Sequence, residues 1–170
     1  MPTTTFPKEL LVSMLNELRQ GTERSRKIYE ELGRAAQNAR IKEALAARGL
    51  ISSQNLGRLD ECFKVMGEKP APADPHGYEL FIDELRQELE EIESPEARKM
   101  AVLDKASRLG QLHEAVYVAS IEAADALGYP AVGLLLESCL ADRRVFADRT
   151  KRLIRESATA KVSVGRAGTT

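Results

Sequence analysis

The sequence predicts an all-α protein: a four-helix bundle with an additional short helix and a long crossover. Three observations carry that expectation. Apolar residues recur at three- and four-residue spacing through nearly the whole chain, with no competing strand-type alternation. Helix-stopping punctuation falls at only a few points and leaves long uninterrupted segments between them. One of those points is itself long. GEKPAPADPHG, at 67–77, cannot be helical in its middle, because each proline removes a donor and restricts the residue before it.

The elements follow in order. A first helix starts near Pro7, after a threonine-rich leader, and ends near Asn38; its apolar stripe reads Leu11, Leu15, Leu18, Ile28 or Tyr29, and Leu32. A second carries Ile41, Leu45, Leu56, Leu59, Phe63 and Met66. After the proline-rich link comes a short helix over about 78–93. Ser94-Pro95-Glu96 supplies an N-cap and a first-turn proline for a long helix over 95–127. LGYP at 127–130 is a stop and restart, and a last helix runs over 130–156 through Leu135, Leu136, Cys139, Phe146 and Leu153. Residues 1–157 form one domain, and the small, polar 158–170 form a flexible tail. A single long connection favours the crossover of a ferritin-like bundle over a simple up-and-down one.

Composition narrows the function classes. In 170 residues, 25 basic side chains balance 26 acidic ones, which is not the footprint of a nucleic-acid binder. No stretch approaches the ~20 apolar residues that a membrane helix needs, and MPTTTFPKELLVSMLNELR lacks the basic start and apolar run of a signal peptide. Cys62 and Cys139 fall within helical apolar patterns and read as reduced core residues of a cytoplasmic protein. There is no glycine-rich phosphate loop, and no serine or cysteine has a convincing partner base.

Each long helix has polar or small residues in the middle of its apolar stripe. They are Thr22 and Ser25, then Arg48 and Ser52, then Gly110 and His113, then Asp142 and Arg143. Notches at similar depth in four helices predict a shared polar layer inside the bundle. A di-iron centre would use such a layer, but it wants about four carboxylates and two imidazoles. This layer offers one clear carboxylate, Asp142, one imidazole, His113, and the permanently charged Arg48, which repels a metal cation. His113 and Glu114 point about 100° apart on a helix and cannot easily share one ion. The plain reading of His113 is a buried imidazole bonded to Asp142, Thr22 or Ser25. The plain reading of Asp142 is an ion-pair partner, with Arg48 as a candidate. Glu79 reads as a solvated or capping acid, and His76 as an exposed loop residue.

The chain resembles the YciE/YciF-like family, bacterial stress-associated proteins of the ferritin-like superfamily, over roughly residues 9–155. The resemblance rests on GRAAQNARIKEALAAR (33–48), NLGRLDE (55–61), GYELFIDELRQELEEIESPEARKMAVLDKASRLG (77–110) and ALGYPAVGLLLESCLADRR (126–144), in an almost gapless layout. It implies a five-helix ferritin-like fold, usually a homodimer, with a di-metal centre in better-preserved members. The metal ligands do not carry over. The first-helix glutamate falls on Thr22, a His-Leu-x-Glu pattern on Arg48-Gly49-Leu50-Ile51, and a Glu-His-Tyr-Glu run on Gly110-Gln111-Leu112-His113. An Asp-Glu-Glu-Lys run falls on Ala141-Asp142-Arg143-Arg144, and Glu79 matches a family glutamate. The expectation is a non-catalytic structural or interaction module, homodimeric, with an unidentified protein partner and no cofactor. A polar layer of Thr22, Ser25, Arg48, His113 and Asp142 would stand at the vacated centre. The alternative is an oxidase or storage protein binding iron or manganese through Glu79, His113, Glu114 and Asp142.

Overall fold

A computed structural model describes residues 7–72 and 79–167, with side chains as far as Thr159. The threonine-rich leader, the middle of the proline-rich link with His76, and the last three residues lie outside that description. The helices are α1 (Lys8–Ala35), α2 (Ala39–Met66), α3 (Glu79–Glu90), α4 (Pro95–Gln111), α5 (Glu114–Ala126) and α6 (Pro130–Ala167), and no strand occurs among the described residues.

Local chemistry sets the ends. Lys8 opens α1 and reaches the far end of α2, where its Nζ donates to the Met66 carbonyl at 3.1 Å and pairs with Glu68 at 3.1 Å. That puts a cation on the negative end of the α2 dipole. The Asn38 side chain caps α2 by accepting from the Arg40 and Ile41 amides. Gly67, at φ 68°, ends α2, and the Glu68 amide donates back to the Phe63 carbonyl at 2.9 Å. Ser94 accepts from the Ala97 amide to cap α4 behind Pro95, as the sequence predicts.

Two apolar clusters show how the helices run. One gathers Leu11, Leu15 and Leu18 from the start of α1, Leu59, Phe63 and Met66 from the end of α2, Tyr117 and Ile121 from α5, and Val132 and Leu136 from the start of α6. The other gathers Ile28 and Leu32 from the end of α1, Ile41 and Leu45 from the start of α2, Val102 and Leu103 from α4, and Phe146 and Leu153 from α6, closed by α3. So α2 and the α4–α5 strut run in the same direction, and α1 and α6 run against them. A simple up-and-down bundle would oppose α2 to α4. The chain must instead return along the bundle between Met66 and Ser94, which is the ferritin-like crossover.

Two features differ from the sequence reading. The predicted continuous helix over 95–127 is broken at Leu112–His113. His113 takes a left-handed conformation, at φ 68° and ψ 5°, and becomes the residue before α5. The other is α6, which remains helical to Ala167, past Ser157 where the sequence places the start of a tail; the Thr159 hydroxyl donates to the Arg155 carbonyl.

Candidate functional site at the waist of the bundle

Between the two apolar clusters lies a polar waist. Thr22, Ser25, Arg48, Ser52, Asn55, Ser120 and Arg143 are all buried there or along its edges. Of the five residues expected in the layer, Thr22, Ser25 and Arg48 are buried and His113 keeps its side chain 17% exposed. Asp142 does not join them. Its neighbour Arg143 turns inward, and Asp142 pairs at the surface with Arg58 at 2.5 Å. One residue along a helix is about 100° of rotation, so only one of the two can face the core.

Arg48, on α2, is fully buried. Its guanidinium carbon lies 5.4 Å from the Tyr29 ring centroid and 5.5 Å from that of Phe146, with one hydrogen bond from Nη1 to the Ser52 hydroxyl at 3.1 Å. Tyr29 and Phe146 pack edge to face at 5.2 Å. Gly110 sits beneath them: a Cβ there would lie 3.4 Å from Phe146 and 3.8 Å from the Tyr29 hydroxyl. Arg143 crosses from α6 to the broken end of α4, where its Nη2 donates to the carbonyls of Leu109, Gly110 and Leu112. Those carbonyls lack helical partners because the chain turns away at His113. The Arg143 guanidinium carbon also stands 5.4 Å from the Tyr117 ring centroid.

His113 belongs to the rim of the waist. Its imidazole lies against the backbone of Gly21, and its Nε2 is 3.9 Å from Glu17. It bonds neither to Asp142 nor to the hydroxyls of Thr22 and Ser25. Thr22 donates to the Leu18 carbonyl of its own helix. Burial lowers the His113 pKa, and Arg143 and Arg24 push the same way against Glu17, so the imidazole is held neutral.

The residues do not fit a pair of metal ions. Glu114 is bound by Arg144 at 2.9 Å on the surface, Asp142 by Arg58, and Glu79 lines a surface recess with Glu31 and Arg86. His113 faces Glu17 rather than any of the three. Among the described residues no group of three or more histidine, cysteine or acidic side chains converges on one point. The buried charge at the waist is cationic, which opposes a divalent ion. Cys62 and Cys139 are buried and free, and burial pushes their thiols up to about 12 and about 11, so neither offers a thiolate. Sequence reasoning placed Arg48 at this depth. It read Tyr29 as apolar filling and did not single out Tyr117 or Asn55; tyrosine on an apolar stripe beside a buried arginine is the signal that marks them.

The helix order and the crossover define a ferritin-like bundle with an arginine-filled polar waist. The chain belongs to the family described as Domain of unknown function (DUF892), which matches residues 7–163. Solved structures that share its fold include two from bacteria. The Escherichia coli stress protein YciF superposes with a TM-score of 0.80 at 19% identity, covering 94% of this chain and 99% of that one. YcfI of Rhodopseudomonas palustris, described as a proposed structural protein, superposes with a TM-score of 0.76 at 20% identity, covering 89% and 97%. No curated protein matches the sequence. No described helix is long and apolar enough to cross a membrane.

Proposed function

We propose that this protein is a stress-associated, non-catalytic structural module that acts through an interface, the first being with a second copy of itself. The observation that supports this reading is the waist. Arg48 and Arg143 stand where a di-metal protein would gather carboxylates, and Glu79, Glu114 and Asp142 face outward. What the surface offers instead is an apolar face on α5 and α6. Val118, Leu134 and Val145 are 44%, 66% and 65% exposed. Leu134, Ala141 and Val145 repeat on one side of α6, and Val118 and Ala141 line the groove between the two helices. A symmetric dimer would cover such a stripe.

Sedimentation of the wild type against a Val118→Glu, Leu134→Glu double variant tests this. A dimer that becomes a folded monomer supports the reading; a wild type that stays monomeric at micromolar concentration overturns the self-association. Metal analysis of protein from iron- and manganese-supplemented cells tests the non-catalytic part. About two metal ions per chain would restore the oxidase or storage reading.

A further inference from the structure

We propose that the waist of the bundle is an anion site, holding one small monovalent anion of the halide class beside Arg48.

The argument begins with donors. Arg48 is fully buried, yet only Nη1 of its guanidinium has a hydrogen-bond partner; Nε and Nη2 have none. Arg143 Nε, the Tyr29 and Tyr117 hydroxyls and, about two helical turns further along α2, Asn55 Nδ2 are also buried without partners. All of these can donate, and only the two phenol oxygens among them can also accept, so the set holds more donors than it can satisfy by itself. Buried donors left unpaired are rare in native proteins, and a cluster of them on a cation is rarer still.

The charge balance points the same way. Among the described residues the fully buried charged side chains are Arg48 and Arg143, and no aspartate or glutamate is buried with them. Arg143 is partly neutralised by the three carbonyls at the negative end of α4. Arg48 has only aromatic faces and one serine hydroxyl. The described residues supply no internal counter-charge either. Burial raises both phenols above their ordinary value, although each feels both guanidiniums, so they remain neutral donors. The thiols of Cys62 and Cys139 stay protonated for the same reason. An isolated buried guanidinium is costly and arginine does not neutralise itself by losing its proton. The compensating charge therefore has to come from solvent. It must be small, because the waist is packed between Phe146, Tyr29 and Tyr117, and monovalent, because one cation is left uncompensated.

The experiment is thermal unfolding of the full chain while sodium chloride replaces sodium gluconate at constant ionic strength; gluconate is too large to enter. The expected result is a saturable rise in melting temperature, roughly 3–6 °C at ten times the dissociation constant. Arg48→Met should abolish the dependence, and Tyr29→Phe, which keeps the cation and removes one donor, should weaken it. Equal melting in the two salts overturns the proposal, since water would then satisfy the donors. A chloride dependence unchanged in Arg48→Met overturns it too, since the ion would act elsewhere. Should Arg48→Met fail to fold, wild-type crystals grown in bromide decide the matter. An anomalous peak in contact with Arg48 supports the site, and its absence overturns it.

Discussion

The imidazole of His113 lies flat against the glycine at position 21: a Cβ built there would come within 2.7 Å of Cε1 and 3.1 Å of both ring nitrogens. The two residues are therefore coupled. Gly21→Ala should destabilise the protein by about 1–3 kcal/mol, the usual range for overpacking. His113→Gly removes the ring and also suits the left-handed backbone, so it should be neutral or stabilising by about 1 kcal/mol. In the double variant the alanine penalty should largely vanish. A double-mutant cycle by urea unfolding checks this, and additive effects would contradict the contact.

The same histidine should give the protein an acid limb. Its pKa in the folded state is lowered from the ordinary 6.5, first by burial and then by Arg143. The unfolded chain then binds the proton more readily than the folded one. Stability is full above about pH 6.5, falls as the pH drops below it, and levels off once the folded imidazole is itself protonated. Denaturant midpoints measured between pH 5 and pH 8 should show this slope in the wild type and lose it in His113→Gln.

Arg143 is expected to matter through the carbonyls it satisfies. Arg143→Met leaves those of Leu109, Gly110 and Leu112 without that donor at the end of α4 and should cost about 2–4 kcal/mol. Hydrogen exchange should speed up in the last turn of α4 before it does so in α1. Uniform loosening of all helices would argue against a local capping role.

By contrast, the Arg58–Asp142 pair is short but a third exposed on each side. Screening and side-chain entropy limit such a pair, and a double-mutant cycle with Arg58→Ala and Asp142→Ala should return less than about 1 kcal/mol, falling with added salt.

Much of this architecture is legible in the sequence, because helix starts and stops have local chemistry. Asn38, Gly67, Ser94-Pro95 and the LGYP turn each announce a boundary within a few residues, and the notches at Thr22, Arg48, His113 and Asp142–Arg143 locate the polar layer. The break at Leu112–His113 leaves no such mark. It contains no proline, and the nearby glycine, Gly110, is helical rather than left-handed; what holds the break open is Arg143, distant in sequence. Which of Asp142 and Arg143 faces inward is likewise set by packing. A spacing pattern places a notch on a helix but cannot resolve two neighbours in it.

The broken strut has a consequence for how this sequence can change over generations. In an unbroken helix, one inserted or deleted residue rotates everything beyond it by about 100° and drags the whole apolar stripe off the core. Here α4 serves one apolar cluster and α5 the other, each as its own hydrogen-bonded segment. A length change at the Leu112–His113 joint is absorbed where the ladder is already interrupted, and neither segment loses its register. A residue gained or lost there would cost the contacts of Arg143 and His113 at the joint but leave both apolar clusters in register.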